Sequence, residues 1–239
     1  MSEILPACAR CSAKLSVRIC QKENGKAPTV CPTINHTRAL ENALKELKKP
    51  DVMEFARQAS IQEAEGYADR NRGYEYVKPS KPRIVETMEF AHKMKYKRLG
   101  FVFCIGLRKE AKVVESLLSS NGFEVVSTVC KLGREPKETI GVRDDQKIYI
   151  GKFEGMCNPI AQAYVLNEEQ TEFNIVIGLC VGHDSLFLKY SKAPCTVLAV
   201  KDRLLGHNPL AAIYNIDSYY RDLKGTKPNP GKPELTIEY

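Results

Sequence analysis

An α/β architecture is predicted here: a parallel, Rossmann-like sheet of four or more strands with flanking helices. Three observations predict it. Four short runs, 98–104, 123–130, 173–180 and 195–200, are apolar and have the length of strands. Segments with helical periodicity, 108–122, 157–169 and 184–191, alternate with them. The runs are also nearly continuous in apolar residues, as strands covered on both faces require, rather than alternating with polar ones. Each strand-to-strand return then needs a crossover, for which the intervening helices serve.

The elements follow in order. Residues 1–35 hold Gly25, Pro28 and Pro32 and few large apolar side chains, so this segment needs a staple other than a core. Thr37 is placed to cap a helix with Leu40, Ala43, Leu44 and Leu47 on its inward face, ended by Pro50. Asp51 and Glu54 resemble a capping box opening a second helix, with Val52, Phe55, Ala56 and Ala59 inward and an end near 71–74. The stretch 77–82, VKPSKP, is the best linker, after which Ser80 caps a third helix carrying Ile84, Met88 and Ala91. Asn121-Gly122 closes the 108–122 helix. A charged, irregular connection covers 131–156, and 208–215 is a last helix. The tail KGTKPNPGKPELTIEY is rich in Pro and Gly and is expected to run extended over the surface. The division expected is a cysteine-rich knuckle at 1–35, a helical segment packing on the core at 36–97, and the α/β domain at 98–239.

Composition narrows the function. The net charge is +7, and seven Lys or Arg against two Glu lie between Lys78 and Arg98. That stretch lacks interleaved aromatic stacking residues and any nucleic-acid reading motif, so a nucleic-acid partner is not expected. A solvated helix face, or an anionic small molecule as partner, accounts for it. No apolar run approaches the roughly 20 residues of a membrane helix. The opening MSEILPACARC has neither the basic nor the apolar part of a signal peptide, so a cytoplasmic protein is expected. Nine cysteines, an odd number, in a reducing compartment point to metal or redox chemistry rather than to a disulfide framework.

The cysteines form two sets. Cys8, Cys11, Cys20 and Cys31 fall within the first 31 residues, with two residues between the first pair. That spacing lets two thiolates turn back onto one ion, and two more complete a tetrahedral shell for zinc or hold an iron–sulfur cluster. In the second set, Cys104, Cys130 and Cys180 end predicted strands and Cys157 starts a helix. In a parallel sheet these positions share the C-terminal edge, where open α/β folds bind ligands. They are candidate metal ligands, and Cys180 and Cys157 are also candidate nucleophiles. Cys195 begins a strand and reads as a small buried residue at the other end.

Other polar residues reach the same edge: His183 and Asp184 after the third strand, and Lys201, Asp202 and His207 after the fourth, while Glu154 and Asn158 flank Cys157. His183 could act as a base beside Cys180, since GLCVGH resembles a nucleophile elbow with Cys180 at its turn. His207, Asp184 and Lys201 are candidates for holding a cofactor or substrate. Walker and G-x-G-x-x-G phosphate loops are absent.

The blocks CARC, CKLGREPKETIG, GMCNPIAQAYVLN, GLCVGHDSLFLKYSKAP and VKDRLLGHNP together resemble an uncharacterised, cysteine-rich family with a domain of unknown function, held to bind metal. The resemblance covers nearly the whole chain, and its members come mostly from anaerobic bacteria and archaea. It implies metal binding and leans toward iron–sulfur chemistry, with a 4Fe-4S cluster favoured at the sheet edge. Cys8, Cys11, Cys130, Cys157, Cys180, His183 and His207 lie inside resembling blocks, whereas Cys20, Cys31 and Cys104 rest on spacing alone. Three readings result: a metalloprotein with two cysteine sites, a zinc-stapled thiol enzyme using Cys180 or Cys157, and a non-catalytic metal or redox sensor.

Overall fold

Residues 5–225 are described by the computed structural model; the last fourteen residues, most of the Pro- and Gly-rich tail, lie outside them. The chain divides into two units, Met1–Pro79 and Ser80–Tyr239, and the division falls inside the 77–82 stretch.

The second unit is built on four parallel strands: β3 (Arg98–Phe103), β4 (Glu124–Val129), β5 (Phe173–Ile177) and β6 (Cys195–Ala199). Their order across the sheet is β4-β3-β5-β6. Helix α5 (Arg108–Ser120) returns β3 to β4, α6 (Pro159–Glu168) returns β4 to β5, and α7 (His183–Tyr190) returns β5 to β6. Helix α4 (Arg83–Lys93) precedes the sheet and α8 (Leu210–Tyr214) follows it. This is the parallel, Rossmann-like sheet that the apolar runs predict. All five residues of β5 are buried, which explains why its sequence does not alternate.

One polar residue interrupts that strand. Asn174 is fully buried, and it accepts from Thr171 Oγ1 at 2.7 Å and donates to Ser191 Oγ at 2.8 Å. Satisfied at both ends, it costs little to bury. Opposite it stands Gly100, where an added Cβ would lie 1.9 Å from Asn174 Oδ1. The core joins Val102, Val176, Leu166, Ala163, Leu179 and Phe187. Fully burying each large apolar side chain contributes about 1.5–3 kcal/mol relative to exposure.

Three boundaries differ from expectation. The strand predicted over 173–180 ends at Ile177, because Gly178 takes φ +64 and turns the chain out of the sheet. Helix α4 begins at Arg83, not after Ser80: Pro82 stays extended and disfavours helical geometry at the residue before it. Helix α6 begins at Pro159 rather than Cys157, with Asn158 as its cap.

The first unit holds α1 (Pro32–Asn35), α2 (Thr37–Leu47), α3 (Pro50–Glu65) and a short antiparallel pair, β1 (Tyr67–Ala68) with β2 (Lys78–Pro79). His36, not Thr37, occupies the cap position of α2. Helix α3 opens with Pro50 in its first turn rather than a capping box, and ends at Glu65, short of 71–74. Among the described residues of this unit no apolar side chain is buried, and Leu40, Leu44 and Leu47 of the expected inward stripe are exposed. Short helices without a sheet behind them cannot enclose such a stripe.

Candidate functional site

Register brings the site together. Phe103 of β3 pairs with both Val129 of β4 and Ile177 of β5, so the C-terminal ends of these strands are level. The next residues, Cys104 and Cys130, therefore leave the sheet side by side. The β3–β5 boundary is also where the chain's strand order reverses, the usual ligand crevice of open α/β sheets. Cys157 is carried to the same place by the loop before α6. The Asn158 backbone N–H donates to the Cys130 carbonyl at 2.8 Å, and the Asn158 side chain accepts from Ala161 N–H at 2.9 Å, capping the helix.

The three thiols and one imidazole lie in series, Cys104, Cys130, Cys157, His183, each close enough to the next to shift its titration. Cys130 sits in the middle. Its two thiol neighbours and its burial hold its proton on and push its pKa up, although Ile105 N–H donates to its Sγ at 3.4 Å. The flanking thiols shift the other way. The hydrogen bond from Cys130, helped by Gly106 N–H and the Lys201 charge, lowers Cys104 to about 5 against the cost of burial. The same Cys130 contact, then that of His183, lowers Cys157 to about 4, with the Lys131 charge assisting. His183 is raised by its bond to Cys157 more than burial lowers it. Its Nδ1 is buried and has no hydrogen-bond partner.

Cys157 and His183 open onto a cavity of about 410 Å³, lined also by Lys137, Ile140, Val142, Gln146 and Met156. Except for Cys157 and His183, that lining comes from the 131–156 connection. Buried ionic contacts order this connection. Glu154 pairs with Lys137 at 2.7 Å and accepts from Ile148 and Tyr149 N–H at 2.9 and 3.1 Å. The buried Lys147 ammonium reaches Glu138 at 2.8 Å, Asp144 at 2.7 Å and the Lys152 carbonyl at 2.7 Å. Lys131 Nζ donates to the Gly155 carbonyl. Glu154, which the sequence places beside Cys157, thus serves the loop.

Cys180 does not enter the thiol series. With the strand ending at Ile177, the Cys180 carbonyl accepts from His183 and Asp184 N–H at 2.9 and 3.1 Å, while its Sγ accepts from Arg203 at 2.9 Å. His183 is bonded to Cys157, not to Cys180 as an elbow would have it. Asp184 is half-buried on the first turn of α7 and accepts from Ser185 N–H at 2.7 Å. His207 adopts φ 68, and its Nδ1 accepts from Asp202 N–H at 3.1 Å, which closes the 202–207 turn. Lys201 alone of the three cofactor candidates faces the series: a Cβ on Gly106 would lie 3.2 Å from its Nζ. Cys195 starts β6 at the opposite edge, bonded to Ser191 Oγ at 3.2 Å. The sequence reading missed Lys131, Lys137, Gln146 and Arg203. The density of charge in 131–156 was the available signal for the first three.

In the first unit, Cys8, Cys11, Cys20 and Cys31 line one cavity of about 110 Å³. Cys11 N–H bonds the Cys8 carbonyl at 3.2 Å, the tight turn their spacing predicts. The 18–26 turn that carries Cys20 depends on Gly25, where a Cβ would fall 2.4 Å from Ile19 Cα. Thr33 lowers the Cys31 pKa. Four thiols around one small cavity fit the chemistry of a tetrathiolate site. Among the described residues, however, no three His, Cys, Asp or Glu side chains converge as a ligand shell, here or at the sheet edge.

Fold and site together define an α/β protein with a thiol-lined sheet edge. Over residues 31–198 the chain matches the family described as Protein of unknown function (DUF1847), and it belongs to that family. It is also 44% identical over 176 residues to an uncharacterized protein of Methanocaldococcus jannaschii, across 74% of this chain and 86% of that one. The cysteine-rich family suggested by the sequence blocks is thereby shown. No helix among the described residues is long and apolar enough to cross a membrane.

Proposed function

We propose that this protein is a thiol enzyme in which Cys157 is the nucleophile and His183 its acid–base partner, stapled by a metal at Cys8, Cys11, Cys20 and Cys31. The observation that carries the reading is that Cys157 and His183 line the same 410 Å³ cavity, close enough to shift one another's titration. A thiolate is the reactive form of cysteine, and an adjacent imidazolium both favours it and can protonate a leaving group. Cys157 supplies the electron pair to an electrophilic centre, and His183 supplies the proton. The Lys131 charge, felt at Cys157, favours an anionic small-molecule substrate, while Lys137 on the cavity wall is paired with Glu154. Zinc or an iron–sulfur cluster at the N-terminal thiols would supply folding energy to a segment without a core. A reducing cytoplasm, where free thiols persist, suits this chemistry.

A second reading is favoured by one observation: three sulfurs from three different loops adjoin at the edge. They could hold a metal or a 4Fe-4S cluster, with Cys180 as a further ligand if Arg203 releases it.

One experiment separates the two. The full chain is purified without oxygen, its metal and acid-labile sulfide are measured, and it is then treated with limiting iodoacetamide. The thiol reading expects one zinc, or one cluster, lost with Cys8→Ser and retained in Cys130→Ser, and Cys157 alkylated first. A cluster lost with Cys130→Ser, with Cys157 refractory to alkylation, would establish the edge metal site instead.

A further inference from the structure

Two thiols of the edge series have no part in a simple nucleophile–base pair. Cys104 is 7% exposed and Cys130 2%, whereas Cys157 is half-buried and opens to the cavity. The series thus runs from an accessible sulfur to two inaccessible ones, packed together in one cluster. A buried thiol touching an accessible one is the arrangement in which a mixed disulfide is resolved within the chain. The cavity is of small-molecule size, and Ile140, Val142 and Met156 give it apolar walls.

We propose that Cys157, Cys130 and Cys104 form a three-thiol relay that reduces a low-molecular-mass disulfide and stores the resulting bond between Cys104 and Cys130. The inference rests on the reading of Cys157 as nucleophile.

The steps balance. The Cys157 thiolate attacks one substrate sulfur, the substrate S–S bond breaks, and the departing thiolate takes the His183 proton. Cys130 then attacks the Cys157 sulfur and expels the second substrate thiolate, which leaves with the proton that Cys130 gives up. The Cys104 thiolate attacks Cys130, and Cys157 departs as thiolate, ready again. One disulfide has become two thiols, and Cys104 and Cys130 have lost two electrons. Reset runs back through the accessible sulfur: Cys157 attacks Cys130 and frees Cys104, one thiol of a low-molecular-mass dithiol attacks Cys157 and frees Cys130, and its second thiol then releases Cys157 and leaves as the cyclic disulfide.

The test uses the full, reduced chain with bis(2-hydroxyethyl) disulfide as probe. Free thiols are alkylated after acid quench, and non-reduced peptides are mapped by mass. The expected product is a Cys104–Cys130 disulfide with Cys157 free. Cys104→Ser should stop at Cys130–Cys157, and Cys130→Ser should trap the probe on Cys157. If the wild-type chain keeps the probe on Cys157 while Cys104 and Cys130 remain thiols, the relay is wrong and the nucleophile reading stands. A bond from Cys157 to Cys180 or to an N-terminal cysteine also overturns the relay alone. If the wild-type chain forms no Cys104–Cys130 disulfide and Cys157 bonds neither to the probe nor to another cysteine, both fall. The wild-type map decides between these outcomes even where a variant fails to fold.

Discussion

Cys157 and His183 line one cavity side by side, although α6 and β5 separate them in the chain. Their approach brings the loop entering one crossover helix to the first turn of the next. Its electrostatics fix a pH window. Cys157 is lowered from 9.0 to about 4, so its thiolate persists at neutral pH and is lost as pH falls through that value. His183 is raised by its contact with Cys157, so its positive charge holds to higher pH than a free imidazole's and is lost as pH rises through the raised value. The thiolate's share of stability is lost as pH falls toward 4 and grows toward pH 9, whereas the imidazolium's share is lost as pH rises through its raised value.

Iodoacetamide labelling of Cys157, read by peptide mass, should therefore keep nearly the same rate from pH 8 to about pH 5 and slow only nearer 4. His183→Asn should move the onset upward, and labelling at pH 6 should slow by about tenfold for each unit by which the Cys157 pKa then exceeds 6. An unchanged profile in that variant would remove His183 from the site.

Asn158→Ala deletes the only side-chain cap bond of α6 and should cost about 1 kcal/mol in urea unfolding. The backbone N–H of residue 158 still reaches the Cys130 carbonyl in that variant, so Cys157 should remain the first thiol labelled.

Gly178→Ala places a Cβ 2.1 Å from Leu107 Cδ1 at a φ of +64. Overpacking and backbone strain together predict a loss of about 1–3 kcal/mol, measured by the denaturation midpoint.

Lys147→Met leaves Glu138 and Asp144 without their shared cation. Limited proteolysis should then cut between 137 and 153, where the wild-type chain resists.

The parallel sheet was legible because buried strands carry a nearly unbroken apolar run, and Cys104, Cys130 and Cys157 were legible as edge residues because topology alone sends strand ends and helix starts there. What His183 touches was not. That depends on Gly178 ending β5 three residues early, which turns Cys180 toward Arg203 and leaves His183 for Cys157. The two-residue strands β1 and β2 have no periodicity to read. The leucines of α2 carried the helical pattern faithfully, but pattern does not report whether enough chain lies opposite to cover it.

The level ends of β3, β4 and β5 carry one more consequence. Successive side chains of a strand point to opposite faces, so a slip of β4 by a single residue would send Cys130 away from both neighbours. The spacing of the sulfurs is therefore a gauge of strand alignment. Any condition that loosens the β3–β4 pairing should silence the thiols before the chain unfolds.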